Sequence, residues 1–162
     1  MAGRSYSWFV PALSLVLTLA LSLVPLPHLI SSFRPDWVAV VLLYWSLTAP
    51  RRFSLLTAFW MGIVLDTLSG SLLGQHALAL LVIVYVAERL HLRIRVFPMS
   101  QLGLVVLALL GLYEFILFWI DGVAGRTVPV SERWGPPLAG TLVWLAMLAV
   151  FDSGRREAHA RL

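Results

Sequence analysis

The sequence predicts an all-α polytopic membrane protein with six transmembrane helices, and two observations carry this prediction. Of its 162 residues 60% are hydrophobic and only 12% are charged, whereas roughly 25% of the residues of a soluble domain are charged. The charged residues are also unevenly placed, because they separate apolar stretches whose lengths approach the roughly 20 residues that a helix needs to cross a bilayer. Such a chain is solvated by lipid along most of its surface.

The predicted spans follow these apolar stretches in order along the chain. We interpret the first as a retained anchor, because no small-residue cleavage site follows its apolar run before Pro25-Leu-Pro27. The third and fourth stretches are interrupted only by Asp66 and are together too long for one crossing, so we predict a break at Ser69-Gly70-Ser71. The spans are predicted at about residues 8–30, 36–50, 53–69, 72–90, 98–120 and 135–152.

The second span is the shortest, since its uncharged stretch runs only from Trp37 to Pro50. It can be extended through Asp36, which favours the helix dipole, with Pro35 in the first helical turn, where its missing N–H is not needed. A five-span alternative makes this stretch re-entrant and places the N-terminus outside. We favour six spans because the run Val38–Trp45 has no polar face.

Arginine placement predicts the orientation of the chain, because short cytoplasmic loops hold an excess of Lys and Arg. With six spans and both termini in the cytoplasm, the outer side keeps only Arg34, Arg126 and Arg133. The five-span alternative merely exchanges Arg4 for Arg34. The rule therefore predicts a cytoplasmic C-terminus in both cases and a multi-pass protein.

Composition and motifs exclude several classes of function. The chain has no cysteine, so disulfides and thiolate metal sites are ruled out. The four histidines are scattered and form no metal-binding motif, and no nucleophile elbow, P-loop or dinucleotide fingerprint is present. The arginines gather at the ends of the spans and form no basic face for nucleic acid. We expect no enzyme activity, no cofactor and no nucleic-acid partner.

Asp66 is the most unusual residue, because it is the only charge between Phe53 and Ala87. A carboxylate in hydrocarbon costs about 3 kcal/mol or more unless it is paired or faces a cavity. Helical spacing puts it on one face with Gly62 and Gly70, where small residues let neighbouring backbones approach closely.

Two interpretations of Asp66 remain open at this stage. It either binds a partner helix, a ligand or a proton inside the bundle, or it lies near the outer interface and caps a turn through Ser69 or Ser71. The six-span topology places Arg34 on the same side as Asp66, and we hypothesise an ion pair between them. The alternative for Arg34 is that it snorkels to a lipid phosphate.

Three further polar groups fall within or beside the later spans. Gln75 and His76 open the fourth span, where they could line a cavity beside Gly74. Glu114 and Asp121 are seven residues apart and share a helical face, a spacing that could serve acid–base work or cation transport. We favour a simpler interpretation, in which Asp121 is a helix-end acid and Glu114 makes one polar contact inside the bundle.

Four ordered motifs resemble the MreD family of rod shape-determining proteins. They are Phe33-Arg34-Pro35-Asp36-Trp37, Leu42-Leu43-Tyr44-Trp45, Ala49-Pro50 and the run Gly62…Asp66…Ser69-Gly70…Leu73-Gly74. The resemblance is specific over residues 33–76, and from Val96 onward it is one of hydropathy and size. Asp36 stands where the family often has asparagine.

This resemblance implies a place in the bacterial inner membrane and a set of partners. Members of the family act in the elongation machinery with MreC, whose single transmembrane helix precedes a periplasmic region. The wider complex includes MreB filaments, RodZ, the RodA glycosyltransferase and its partner penicillin-binding transpeptidase. The resemblance also implies a fold similar to the S-components of energy-coupling-factor transporters, with six helices around a pocket.

The leading functional hypothesis is a non-catalytic scaffold that binds MreC and helps control cell shape and lateral peptidoglycan synthesis. The alternative is a small-molecule binder like an S-component, with Arg34, Asp66, Gln75 and His76 lining an outward-facing pocket. A proton or cation pathway through Asp66 and Glu114 would need a continuous polar route. The candidate partner or pocket residues are Arg34, Asp36, Tyr44, Gly62, Asp66, Gly70, Gly74, Gln75 and His76.

Overall fold

The described part of the chain is entirely helical. The computed structural model describes residues 9–23, 34–48, 55–94, 99–126, 129 and 134–160, and within these it contains six helices and no strand. They are α1 (Phe9–Leu23), α2 (Trp37–Thr48), α3 (Leu55–Ser69), α4 (Gln75–Ile94), α5 (Met99–Val123) and α6 (Gly135–Ala160). The prediction of an all-α fold is confirmed for these residues, and each helix lies at one of the six predicted positions.

The described helices overlap the predicted spans, but several ends differ: α4 begins at Gln75 and not at 72, and α5 continues to Val123 and not to 120. The predicted break is confirmed, since α3 ends at Ser69 and α4 begins at Gln75. However, α4 continues to Ile94 and α6 to Ala160, beyond the predicted ends at about 90 and 152. Arginine, glutamate and alanine are good helix formers, so a helix does not stop where its apolar part stops. The remaining predicted span residues, 8, 24–30, 49–50, 53–54 and 98, lie outside the described part of the chain.

Helix α2 lies at the centre of the bundle. Every residue from Val38 to Ser46 is buried, and α2 packs against α1, α4 and α6. A helix that is hydrophobic on all sides must be enclosed in this way. Its 12 residues correspond to a length of about 18 Å at 1.5 Å per residue. This is well short of a hydrocarbon core of about 30 Å.

Helix α2 begins one residue later than predicted. The backbone carbonyl of Asp36 accepts the amide of Val40 at 2.9 Å, which makes Asp36 the N-cap of the helix. Pro35 therefore precedes the helix and does not form part of its first turn. Aspartate is among the best N-cap residues, so the cap position goes to Asp36.

Helices α1, α4 and α6 contact α2 directly, and α3 packs on α4. Helices α3, α4, α5 and α6 pack in sequential pairs, and α1 is held mainly by α2. Gly140 lets α6 approach the centre, because a Cβ atom there would lie 2.9 Å from Leu110 Cδ1 and 3.0 Å from Val40 Cγ2. Gly62 lets α3 approach α4 in the same way, with the backbone of Ala77 directly against it.

The outer surface of the described helices is apolar. Large hydrophobic side chains are exposed on the outer faces of α1, α3, α4, α5 and α6, among them Leu17, Leu56, Trp60, Leu104 and Trp119. One described helical segment, Gln101–Val123, has 23 residues and is long and apolar enough to cross a membrane. Four other apolar segments are shorter, with 10–17 residues. This surface is typical of a protein that is surrounded by lipid.

Contacts between helix ends show that successive helices run in alternating directions. Arg34, just before α2, donates to the carbonyl oxygen of Ser22 near the end of α1. Asp66 near the end of α3 contacts His76 in the first turn of α4, and Asp121 near the end of α5 contacts the start of α4. These contacts therefore lie at one end of the bundle. Pro35 and Gly140 are neighbours, so α2 and α6 both start at this end. We call it the polar end and define it by Arg34, Asp36, Asp66, Ser71, Gln75, His76 and Asp121.

Candidate functional site

The carboxylate of Asp66 is the centre of the polar end. Its Oδ1 accepts the hydroxyl of Ser71 at 2.8 Å and the backbone amide of His76 at 3.0 Å. Its Oδ2 accepts the backbone amide of Gly74 at 2.8 Å. His76 Nδ1 lies 2.7 Å from Oδ1 and completes the set. The side chain is fully buried, and both of its oxygens have donors, which is how this carboxylate is tolerated in an apolar surrounding.

These contacts make Asp66 a cap for the following helix. The carbonyl of Gly74 accepts the amide of Leu78 at 2.8 Å, so Gly74 is the N-cap of α4. A glycine has no side chain with which to bind the free amides of the first turn. Asp66 supplies the missing acceptor from α3, and its negative charge lies at the positive end of the α4 dipole. The turn-capping interpretation of Asp66 is thus confirmed, with Ser71 and not Ser69 as its partner.

Two aspartates of the polar end occupy the same position relative to a turn glycine. Gly70 has φ +63°, and the amide of Ser71 bonds to the Asp66 carbonyl at 3.2 Å. In the same way Gly125 has φ +71°, and the amide of the residue after it bonds to the Asp121 carbonyl at 2.9 Å. Both are Schellman-type helix ends, in which a left-handed glycine stops the helix. The pattern Asp-x-x-x-Gly therefore places each acid on the last turn of its helix.

The predicted face of Gly62, Asp66 and Gly70 is wrong for Gly70, and Gly74 does not continue it. Gly70 and Gly74 lie between α3 and α4 with φ +63° and +95°, and a Cβ atom at either would meet nothing within 4 Å. Only Gly62 lies in the helix against a neighbouring backbone. The helical period cannot be extended past a residue in the left-handed region, so the shared face ends at Asp66.

We expect Gly70→Ala to destabilise the protein by about 1–2 kcal/mol, because a side chain is unfavourable in the left-handed region. The matched control is Gly122→Ala, a helical glycine with open space around its Cβ position, which should be neutral or mildly stabilising because alanine is the better helix former. Thermal unfolding of both variants in lipid nanodiscs measures the difference. Equal melting temperatures for the two variants would contradict the assignment of Gly70 as the helix stop.

A second buried contact joins α4 to α5. The side-chain amide of Gln75 donates to Asp121 Oδ1 at 2.9 Å, and both residues are buried. Asp121 lies on the last turn of α5, as predicted for a helix-end acid, and its side chain is buried against α4. Glu114 is buried as well, on the same face of α5. The polar end therefore binds three helices together through α4, since Asp66 belongs to α3 and Asp121 to α5.

Arg34 does not pair with Asp66. Its guanidinium donates to the carbonyls of Leu21, at 3.1 Å, and Ser22, and so caps the end of α1. The one salt bridge of Asp66 among the described residues is with His76. The carbonyls at a helix C-terminus form the negative end of its dipole and attract a cation that follows closely in the chain.

The remaining candidates are spread along the bundle. Asp36 is half-buried at the start of α2. Tyr44 is buried two turns further along α2, with its ring edge-on to Trp45 at 5.5 Å between centroids. The structure thus brings Asp66, Gly74, Gln75 and His76 together. Arg34, Tyr44 and Gly62 make their contacts elsewhere in the bundle.

Ser71, His76 and Asp66 lie within hydrogen-bonding distance of one another without forming a catalytic triad. Ser71 Oγ is 3.2 Å from His76 Nδ1, and this is the same nitrogen that contacts Asp66. A triad needs the acid on one ring nitrogen and the nucleophile on the other, so that the imidazole can relay a proton between them. In the described part of the chain no group of three or more His, Cys, Asp or Glu is placed to hold a metal ion. This arrangement supports the start of a helix.

Sequence reasoning missed one polar residue at this site. Tyr113 on α5 is 1% exposed, and its ring centroid lies 6.3 Å from that of His76. Its hydroxyl has no hydrogen-bond partner among the described residues. A tyrosine inside an apolar helix is ordinary in sequence, so only the packing of α5 on α4 reveals this neighbour.

Comparison with known proteins identifies the family of the chain. The family model described as rod shape-determining protein MreD matches residues 2–151. The rod shape-determining protein MreD of Haemophilus influenzae strain Rd is 30% identical over 114 residues, which are 70% of each chain. No solved structure matches the chain.

These matches confirm the resemblance derived from the motifs at residues 33–76. They also agree with the expectation of a non-enzyme, because the family is one of shape-determining proteins and is not known for catalysis. A role in determining rod shape follows from this family membership. The chain belongs to the MreD family of rod shape-determining proteins.

Proposed function

We propose that this chain is a non-catalytic scaffold of the rod elongation complex that binds the single transmembrane helix of MreC and so helps control cell shape and lateral peptidoglycan synthesis. The observation that carries the proposal is the contrast between the two parts of the molecule. The buried polar groups of the polar end bond mainly to one another, whereas the outer faces of the described helices are apolar. A partner helix would therefore be held by close packing in lipid.

Two outer faces are suited to such packing. On α5, Leu104, Phe115 and Trp119 are each at least 60% exposed, and on α3 Leu56 and Trp60 are about equally exposed. Helices associate in membranes through van der Waals contact, without a hydrophobic drive. Large side chains beside small ones, such as Gly111 and Ala108 on α5, create the ridges and grooves that such contact requires.

The proposed orientation places the polar end on the periplasmic side of the inner membrane, with both termini in the cytoplasm. Arg89 near the other end of α4 lies 5.4 Å above the ring of Tyr85, an arrangement suited to the headgroup region. In this orientation the chain would contact the wider complex on both sides of the membrane, through MreC and through the ends of its own helices. That complex includes MreB, RodZ, RodA and the elongation penicillin-binding protein.

The alternative is a small-molecule binder like a transporter S-component. That function would need Arg34 and Asp66 as groups that bind the ligand. Arg34 is engaged with α1, and Asp66 is surrounded by Ser71, Gly74 and His76. Of the proposed lining this leaves His76 and Gln75, so the contacts favour the scaffold.

Site-specific photo-crosslinking in cells tests the scaffold. A photoreactive amino acid replaces, one at a time, an exposed residue on each outer face: Leu17, Trp60, Trp119 or Leu142. The matched control position is Ala79, which is fully buried in α4. We expect crosslinks to MreC from one face and none from Ala79, and the face identifies the docking helix.

Native mass spectrometry of the chain purified in mild detergent with MreC completes the test. A complex of defined stoichiometry supports the scaffold. Absence of MreC crosslinks at all exposed positions, together with a chain that purifies alone with a retained small molecule, would overturn it in favour of the S-component-like function.

A further inference from the structure

Tyr113 carries a polar atom that the protein itself does not use. Its side chain is fully buried, and its hydroxyl has no partner among the described residues. A buried hydroxyl without a hydrogen bond is strongly disfavoured, since it has lost its contact with water.

The ring of His76, a neighbour of the Tyr113 ring, offers an atom of complementary character. Its Nδ1 is held by Asp66 Oδ1 at 2.7 Å, and its backbone amide is held by the same oxygen. When a carboxylate accepts the proton of one ring nitrogen, the other nitrogen of a neutral imidazole becomes a hydrogen-bond acceptor. No described residue bonds to His76 Nε2, and the side chain is 15% exposed. The imidazole is therefore fixed in place with one acceptor that is not used.

The two side chains are neighbours, with ring centroids 6.3 Å apart. We infer that Tyr113 and His76 together bind a hydroxyl group, which accepts the Tyr113 O–H and donates its own proton to His76 Nε2. Such a group forms a hydrogen bond with both atoms at once. A cation would not accept the Tyr113 O–H, and an anion would not donate to His76 Nε2. Water and the hydroxyl of a small polar organic molecule share this chemistry, and buried polar sites of this kind commonly hold water. This site is independent of the docking of MreC.

The first test uses the sign of the change in melting temperature in nanodiscs. If the Tyr113 hydroxyl were merely unsatisfied, Tyr113→Phe would remove an unfavourable group and raise the melting temperature. If it holds a bound hydroxyl group, the same change should lower the melting temperature by about 2–4 °C, the shift typical of one lost hydrogen bond in a chain of this size. The matched control is Tyr85→Phe, an exposed tyrosine, for which no comparable change is expected.

A double-mutant cycle then asks whether His76 takes part. His76→Asn keeps an amide donor where Nδ1 faces Asp66 and removes the Nε2 acceptor. We expect Tyr113→Phe to lower the melting temperature in the wild-type background and to have little further effect in the His76→Asn background. A rise in melting temperature, or an equal shift in both backgrounds, overturns the inference.

Two further measurements keep the test decisive if His76→Asn fails to fold. The ¹⁵N resonance of His76 Nε2 should move in Tyr113→Phe if both atoms bind one group, and an unchanged resonance contradicts this. Native mass spectrometry distinguishes the source of the hydroxyl. A retained organic mass that is lost in Tyr113→Phe identifies a small molecule, and a bare protein mass with the expected thermal coupling identifies water.

Discussion

Replacing Gly62 by valine is expected to separate α3 from α4 and to prevent the accumulation of folded protein. A Cβ atom at this position would overlap the backbone of Ala77, with the amide nitrogen of Ala77 only 2.5 Å away. Backbone cannot move aside as a flexible side chain can, so the helices themselves must shift. Overpacking of a core typically costs about 1–3 kcal/mol, and here we expect at least the upper end of that range.

Gly111→Val is the matched control for Gly62→Val. Gly111 lies within α5, and a Cβ atom there would meet nothing within 4 Å. Both changes carry the same intrinsic penalty for a β-branched residue in a helix. Membrane abundance and the melting temperature in detergent should both fall for Gly62→Val and stay near the wild-type values for Gly111→Val. Equal losses in the two variants would show that the approach of α3 to Ala77 is unimportant.

Asp66→Leu is expected to have a comparable effect, for an electrostatic reason. The change leaves the hydroxyl of Ser71, the amides of Gly74 and His76, and the His76 imidazole without their acceptor in a buried site. Leaving a buried hydrogen-bonding group without its partner typically costs about 1–3 kcal/mol, and here several groups lose theirs at once. We therefore expect the chain to insert into the membrane, to lose the ordered start of α4, and to fail to restore rod shape in a strain that lacks this protein.

Two conservative variants separate this effect from a general loss of charge. Asp66→Asn keeps one carbonyl acceptor and should fall between the wild type and Asp66→Leu in melting temperature. Asp36→Asn changes a half-buried N-cap to another good N-cap residue and should be close to neutral. Full restoration of rod shape by Asp66→Leu at normal abundance would contradict the role of Asp66 in holding α4.

The helices were predictable from sequence wherever a physical signal marks their ends. Glycine and serine at 69–71 marked the end of α3, whereas the first charges after the fourth and sixth apolar runs lie inside their helices. The extension of α6 to Ala160 was not predictable in this way, because apolar length measures the lipid-facing part of a helix and not the helix itself. The central position of α2 also needed the structure. Its lack of a polar face predicts burial, but not which helices enclose it.

The candidate site was predictable as a set of residues and not as a set of contacts. The sequence identified Asp66, Gln75 and His76, but topology could say only that Arg34 and Asp66 share one side. The nearest donors to a carboxylate at the end of α3 are the amides that start α4 a few residues later. They are held in place by a short turn, whereas Arg34 would have to leave the end of α1 to reach Asp66. Local geometry therefore outweighs attraction between distant charges.

The short central helix has a consequence for how the protein is made. Helix α2 is synthesised before α4 and α6, two of the helices that enclose it. Among the described helices that pack against α2, α1 is the one made before it, and it is held by the bond from Trp45 Nε1 to Ser14 Oγ at 2.9 Å and by Arg34 at the end of α1. We therefore expect α1 and α2 to enter the membrane as a hairpin. Truncation after α2 should give a pair that inserts together and is degraded quickly, because a 12-residue helix cannot remain in a bilayer of about 30 Å without the helices that come after it.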